Sequence, residues 1–195
     1  MDNKRIQKTK RNLKKTLASL LSRKPFEAIT VTELCENAET SRITFYAHYN
    51  VKYDLADEMI DDMVFSATSE FEVLQKENNP DNNLHRSAEN VLDAILNLYT
   101  RYQNVFAHIS RSESPYMYQL FYQKLQISVQ HHTKKLCESL HTRHDFKRMA
   151  AFICDGMLGF IRECKKQKCS FETIRKDSKE LLNRLLGAAP LFARA

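Results

Sequence analysis

The chain has 195 residues and a formal net charge of +6, with 30 Lys or Arg against 24 Asp or Glu. Its three Gly and four Pro supply few turns, so the composition argues against a β-sheet protein and favours long helices. No apolar run is long enough to span a membrane and no signal-peptide pattern follows the charged N-terminus, so we predict no membrane association and a cytoplasmic location.

The first predicted helix is basic. Apolar residues recur at helical spacing from Ile6 to Leu21, which predicts a helix over residues 4–22 that Pro25 ends. Residues 1–55 carry eleven Lys or Arg against six Asp or Glu, whereas the remainder is nearly balanced. A basic N-terminal quarter suggests that the chain meets a polyanion at one end, although a solvated basic helix face would give the same pattern.

Two short helices follow, joined by a turn of three residues. Thr30 and Glu33 have the spacing of a capping box, in which each side chain bonds the other residue's backbone amide, so a second helix is predicted to begin there. Ser41 is the candidate N-cap of a third helix over residues 42–48. Two short helices behind a buttressing helix describe a helix-turn-helix over about residues 30–49.

The predicted third helix has one apolar side and one side suited to DNA. At about 100° per residue, Phe45 and Tyr49 share the buried side. The outward side is small or polar and fits a major groove, where methyl groups can meet thymine methyls. The candidate DNA contacts on this side are Arg42, Ile43, Thr44, Tyr46, Ala47 and His48. Thr30, Thr32 and Lys52, at the starts of neighbouring helices, are candidate phosphate contacts.

The remaining chain is predicted to be helical throughout. Apolar spacing continues over residues 51–77, and residues 78–83 form the clearest loop in the sequence. Further helical regions are predicted at 84–110, with a candidate break near Tyr102, and at 115–141, 145–168 and 170–187. We therefore predict an all-α protein. A helix-turn-helix domain over residues 4–64 is joined by a long helix to a C-terminal bundle over residues 65–195.

The residues around the helix-turn-helix resemble a known family. The run Ile29–Cys35, the run Ser41–Tyr49 with its Thr-Phe-Tyr-Ala-His-Tyr core, and the run Lys52–Leu55 are similar to the signature of the TetR family of transcriptional regulators. The resemblance covers about the first 60 residues. It implies about nine helices, a homodimer formed through the last two, and an effector site in the C-terminal bundle. It also implies DNA contacts by Arg42, Thr44, Tyr46, His48 and Lys52, the last three mainly at phosphates.

Three positions depart from the family pattern. Glu39 and Thr40 stand where the turn usually holds a Gly followed by Val or Ile. Glu39 is therefore expected to adopt a backbone conformation that Gly takes more easily. Ala47 stands where a larger side chain is common, which leaves less side chain to read a base.

The last two helices carry the candidate dimer interface. The helix over residues 146–164 is apolar on two sides and therefore needs two partners, and residues 171–186 form a second apolar seam. Together they predict a four-helix interface between two subunits, burial within one subunit being the alternative. The candidate interface residues are Met149, Ile153, Gly156, Phe160, Ile174, Leu181 and Leu185.

Aromatic and thioether side chains are frequent in the bundle. They favour a pocket for a neutral or weakly anionic, mostly apolar effector, although a filled core has the same composition. The candidate ligand-binding residues are Tyr99, Tyr102, Phe106, Met117, Phe121, Tyr122, Phe152, Met157 and Phe160.

The five cysteines, Cys35, Cys137, Cys154, Cys164 and Cys169, include no CxxC pair. Free thiols are the default interpretation, and Cys164 with Cys169 is the candidate redox or metal pair. Glu138 and His141 have half of a di-iron spacing, but no second ExxH occurs. We predict no catalytic residue, no metal and no cofactor.

The favoured function is a homodimeric repressor that binds a palindromic operator in double-stranded DNA and releases it when a small molecule binds. Two other classes remain open. A helical metal-dependent enzyme would need ligands that the sequence does not supply. A membrane-surface or scaffold protein could use the basic first helix against anionic lipid, although that helix lacks aromatic anchors.

Overall fold

The structure is a computed structural model that describes residues 3–140 and 145–187. Within these ranges it contains nine α-helices and no strand, which confirms the predicted all-α fold. The helices are α1 (Asn3–Leu21), α2 (Val31–Asn37), α3 (Arg42–Tyr46), α4 (Lys52–Asn78), α5 (Leu84–Arg101), α6 (Gln103–Phe106), α7 (Pro115–Leu140), α8 (Phe146–Lys166) and α9 (Phe171–Gly187). A 3-10 turn, Phe26–Ala28, lies between α1 and α2. In the described part of the chain, no helix could cross a bilayer.

Side-chain caps begin the two short helices. The Thr30 hydroxyl accepts a hydrogen bond from the Glu33 amide at 3.2 Å, and the Ser41 hydroxyl accepts one from the Thr44 amide at 3.0 Å. Both predicted N-caps are therefore confirmed. The prediction that the Glu33 side chain accepts a hydrogen bond from the Thr30 amide is wrong, because the Glu33 carboxylate accepts one from the Lys24 ammonium at 2.6 Å. Both partners of that bond are charged, whereas the Thr30 amide is neutral.

Two predicted helices end earlier than expected. α3 stops at Tyr46 rather than His48, because the His48 and Tyr49 amides both bond the Phe45 carbonyl in a tight turn. The predicted break at Tyr102 is confirmed, since α5 ends just before it and α6 begins just after it. α6 then ends at Phe106, four residues short of the predicted end.

The described residues form two compact units. The first comprises the residues up to Met63 together with Arg101–Lys124, and the second comprises Val64–Thr100 with the residues from Leu125 onward. In the first unit α1 packs against α6 and α2, and α2 packs against α3. The unit's fully buried side chains include Leu13, Leu17, Leu21, Phe26, Leu34, Phe45 and Leu55. Each such side chain contributes about 1.5–3 kcal/mol to folding.

The second unit is built around α5, α8 and α9. Its buried side chains include Leu92, Ile95, Leu96, Ala150, Cys154, Ile161, Ile174 and Leu182. Arg175 on α9 donates hydrogen bonds to Asp93 and Asn97 on α5, and the Lys179 ammonium lies 2.7 Å from the second Asp93 oxygen. These charge-assisted contacts hold α9 to α5.

A buried amide cluster forms the corner between α4 and α5. The Asn79 side chain donates to the Ser87 hydroxyl at 2.8 Å and to the Asn83 carbonyl at 3.0 Å. Its own carbonyl oxygen accepts from the Asn83 amide at 2.8 Å. Asn79 and Ser87 are buried, and buried polar groups contribute to stability only when they are bonded in this way. The polar loop of the sequence is therefore an ordered corner.

Candidate nucleic-acid interface

Most of the surface of α3 faces outward. Phe45 is fully buried and Tyr49, just after the helix, is buried beside it, with ring centroids 5.7 Å apart. The opposite side carries Ile43, which is 84% exposed, and Tyr46, which is 47% exposed. An isoleucine so exposed buries little apolar surface when the chain folds, and it lies on the side that the sequence assigns to DNA.

The nine candidate DNA contacts differ in exposure. Thr30, Thr32, Arg42, Ile43, Tyr46 and Ala47 are exposed, whereas Thr44, His48 and Lys52 are half-buried. The Arg42 guanidinium lies 6.0 Å from the centre of the Tyr46 ring, so these two side chains form one surface. The Thr44 hydroxyl lies 2.8 Å from that of Ser41. Thr44 therefore already has a partner within the cap of its own helix.

Lys52 is bound inside the first unit. Its ammonium donates to the carbonyls of Phe26 at 2.9 Å, Glu27 at 3.2 Å and Ile29 at 2.7 Å. An ammonium has three protons, so all three are used here. Burial lowers the pKa of Lys52, and the charge of Glu27 opposes that shift. Lys52 thus ties the start of α4 to the segment that precedes α2.

An aromatic cluster lies next to Lys52. Tyr116, on the first turn of α7, stacks on Phe26 at 5.7 Å and meets Tyr53 edge-on at 4.7 Å. The buried Ser114 hydroxyl accepts a hydrogen bond from the Phe26 amide at 2.9 Å. The start of α7 therefore holds the turn before the helix-turn-helix. No local sequence pattern predicts these contacts, because residues 26 and 114 lie far apart in the chain.

Two of the basic residues of α1 form ion pairs with acidic residues of α4. Lys10 and Lys14 bind Glu58 at 2.7 and 3.1 Å, and Lys14 also binds Asp62. Burial opposes charge at Glu58, but its hydrogen bonds to Lys10 and Lys14 outweigh that effect and lower its pKa. Burial likewise opposes charge at Lys14, but Asp62 and Glu58 raise its pKa. The surface that remains for a polyanion is carried by other residues of α1, including Arg5, Lys8, Arg11 and Lys15, which are exposed.

The turn between α2 and α3 has the strained residue that the sequence predicts. Glu39 has a φ of 48°, in the left-handed region that Gly enters without steric cost. The Thr40 amide bonds the Cys35 carbonyl at 2.9 Å and closes the end of α2. The turn therefore forms with Glu39 in place of Gly.

The candidate dimer residues fall on two sides of α8 and α9. Ile174 is buried within the second unit, whereas Leu181 and Leu185 are 44% and 46% exposed. Ile153 and Phe160 are half-buried and Gly156 is exposed. The side chain of Met149 lies outside the described part of the structure. An apolar strip on α9 thus remains uncovered in the single chain.

The candidate ligand residues do not belong to one unit. Tyr102, Phe106, Met117, Phe121 and Tyr122 lie in the first unit, and Tyr99, Phe152, Met157 and Phe160 lie in the second. Phe106, Met117, Phe121 and Met157 are buried, whereas Phe152 is 69% exposed. None of the nine lines the apolar cavity described in the second unit, which has a volume of about 30 Å³ and lies among residues that include Val64, Ala67, Ala94 and Leu125.

No protein-family model matches the sequence, and no curated protein matches it. Solved structures do match it. A transcriptional regulator (TerR/AcrR family) from Aquifex aeolicus VF5 is 20% identical, with a TM-score of 0.63 over 91% of this chain and 99% of its own. A TetR transcriptional regulator from Streptococcus agalactiae 2603V is 24% identical, with a TM-score of 0.59 over 92% and 96%. The TetR family regulator PfmR from Thermus thermophilus is 16% identical, with a TM-score of 0.55 over 89% and 94%.

These matches extend over nearly the whole chain, whereas the resemblance in sequence is concentrated before residue 60. The similarity in fold therefore continues beyond that point. The resemblance that the helix-turn-helix residues suggested is confirmed at the level of the fold: the chain has the fold of the TetR/AcrR transcriptional regulators.

Proposed function

We propose that the chain is a DNA-binding transcriptional regulator that places α3 in the major groove. The observation that carries the proposal is the outward side of α3, where an apolar Ile43 and the paired Arg42 and Tyr46 are exposed on a helix anchored by buried aromatic rings. Methyl groups and a guanidinium are the chemistry that recognises thymine and guanine edges. Exposed hydroxyls of Thr30 and Thr32 at the start of α2 suit a phosphate.

The proposal is tested by selecting bound sequences from random duplex DNA and titrating the selected duplex against variants. Tyr46→Ala is expected to weaken binding to every duplex by about 1–3 kcal/mol. Ile43→Ala and Arg42→Ala are expected to reduce the preference for the selected sequence over random DNA. Lys176→Ala, on the exposed surface of α9, removes the same charge as Arg42→Ala and serves as the matched control.

Binding should also fall steeply as salt rises, because neutralised phosphates release counterions. Equal affinity of the wild type and Tyr46→Ala for the selected duplex would contradict the docking of α3. Binding to vesicles of anionic lipid without binding to duplex DNA would instead favour a membrane-surface protein.

We further propose that the chain acts as a homodimeric repressor on a palindromic operator. The uncovered strip of α9, together with Phe152 and Gly156 on α8, supplies an apolar surface that a second copy would bury. Two copies related by a two-fold axis present two copies of α3, and such a pair reads an inverted repeat.

The proposed signal is a neutral or weakly anionic, mostly apolar molecule that enlarges the cavity of the second unit. At about 30 Å³ the cavity holds one water molecule rather than a ligand, so a ligand must favour a conformation with displaced side chains. A ligand that prefers that conformation shifts the equilibrium away from the DNA-binding one.

The effector proposal is tested by screening small molecules for those that raise the melting temperature and release DNA. Ala94→Leu fills the cavity and is expected to abolish both effects while DNA binding persists. Ala107→Leu, which makes the same change at an exposed position just after α6, is the control. A compound that acts equally on the wild type and on Ala94→Leu would contradict this binding site.

A further inference from the structure

The end of α8 has the hydrogen bonds of a Schellman motif. The Lys168 amide bonds the Lys165 carbonyl at 3.0 Å, and the Cys169 amide bonds the Cys164 carbonyl at 3.0 Å. Lys168 has a φ of 57°, the left-handed conformation that reverses the chain in this motif. The corner between α8 and α9 is therefore set by backbone geometry.

The motif brings two cysteines together. In a Schellman motif the two residues whose backbones form the longer-range hydrogen bond normally make an apolar side-chain contact. Here those two residues are Cys164 and Cys169. The hydrogen bond limits the separation of their Cα atoms to about 7 Å, because the carbonyl and amide add only a few bond lengths. Disulfides span Cα separations of about 4.4–6.8 Å, a range that lies within this limit.

The two thiols differ in accessibility. Among the cysteines whose side chains the structure describes, Cys35, Cys154 and Cys164 are buried, whereas Cys169 is half-buried. Burial raises the pKa of the Cys164 thiol, and the neighbouring Cys169 adds to that shift. An oxidant arriving from solvent therefore meets Cys169 before Cys164.

We propose that Cys164 and Cys169 form a peroxide-oxidised dithiol that closes to an intrachain disulfide at the corner between α8 and α9. The Cys169 thiolate attacks one oxygen of hydrogen peroxide, the O–O bond breaks, and the departing hydroxide takes a proton and leaves as water. The resulting sulfenic acid is attacked by the Cys164 sulfur, which forms the S–S bond and releases a second water. Two electrons pass from the two sulfurs to one peroxide.

Closure requires little rearrangement, because the backbone hydrogen bond already limits the two Cα atoms to about the separation that a disulfide spans. Two aliphatic side chains would satisfy the packing of a Schellman corner equally well, so packing alone does not call for two thiols. In a reducing cytosol a disulfide of this kind is formed by an oxidant and removed by thiol reductants.

The proposal is tested on the reduced full-length protein. The protein is treated with a small excess of hydrogen peroxide, its remaining thiols are blocked with iodoacetamide, and its tryptic peptides are identified by mass spectrometry. Trypsin cuts after Arg162, Lys165, Lys166 and Lys168, so the two cysteines fall on separate peptides. The expected product is a linked pair of the peptides 163–165 and 169–175, which dithiothreitol separates. Two thiols should be lost per chain. Sulfinic acids on the separate wild-type peptides, with no linked pair, would overturn the proposal.

Variants test whether the two cysteines, and the left-handed turn at Lys168, are needed for the disulfide to form. Cys164→Ser and Cys169→Ser should each abolish the linked pair, whereas Cys35→Ser should leave it. Lys168→Gly keeps the left-handed turn and should close at least as fast as the wild type. Lys168→Val resists that conformation and should close about fivefold or more slowly. Equal rates for the Gly and Val variants would show that the corner does not position the thiols.

Discussion

Glu39 occupies a left-handed conformation at φ 48° that costs a residue with a Cβ about 1–2 kcal/mol. Replacing it by Gly removes that strain, although Gly also gains entropy in the unfolded chain. We therefore expect Glu39→Gly to raise the free energy of unfolding by up to about 1 kcal/mol, measured by urea titration. Glu36→Gly, at an exposed position within α2, should lower it by a similar amount. Destabilisation by both changes would contradict the strain at Glu39.

The DNA-binding role predicted for Lys52 differs from the structural role that is observed. The resemblance implies a phosphate contact, whereas the structure gives all three of its hydrogen bonds to backbone carbonyls. Lys52→Met leaves those carbonyls without their charged donor, so we expect a loss of about 1–3 kcal/mol in the free energy of unfolding. Arg42→Met, on the exposed side of α3, should leave stability nearly unchanged. A Lys52→Met protein of wild-type stability with weakened DNA binding would restrict Lys52 to the phosphate role.

At the level of elements, α1 and α4 are joined by the ion pairs of Glu58. The pKa of Glu58 is lowered in the folded protein, so its pairs stabilise the fold above its ordinary pKa. Their contribution is lost as the pH falls through the lowered value. We expect Glu58→Gln to be less stable than the wild type by up to about 1 kcal/mol at pH 7. The difference should shrink progressively in acid.

Urea unfolding of both proteins at several pH values measures this difference. Glu77→Gln, at an exposed position of the same helix, controls for the loss of one carboxylate and should follow the wild type throughout. A difference between Glu58→Gln and the wild type that persists unchanged at low pH would exclude the ion pairs as its cause.

The elements were predictable wherever their cause is local. The caps at Thr30 and Ser41, the break at Tyr102 and the strained Glu39 each depend on neighbours within a few residues, and all four are confirmed. The bonds of Lys52 and of Ser114 were not predictable, because they join residues that only the folded chain brings together. The Lys24–Glu33 pair replaced half of a capping box for the same reason.

For the whole molecule, the proposed dimer gives a sharp expectation. Light scattering should report about 46 kDa, twice the chain mass of 22.8 kDa. Leu181→Glu places a charge in the uncovered strip of α9 and should give a monomer at micromolar concentration, because a buried unpaired charge is costly. Phe65→Glu, at an exposed aromatic position of α4, is the control and should remain dimeric. A wild-type mass near that of one chain would refute the dimer.

The first unit is assembled from two stretches of sequence, one of which ends at Met63 while the other begins at Arg101. As the chain leaves the ribosome, α2 and α3 emerge long before Ser114 and Tyr116, which secure the turn ahead of them. The unit can therefore close only after about two thirds of the protein has been made. Recombination between related genes meets the same constraint. A single crossover near Met63 would combine the new helix-turn-helix with a Ser114–Tyr116 segment that evolved alongside a different helix-turn-helix.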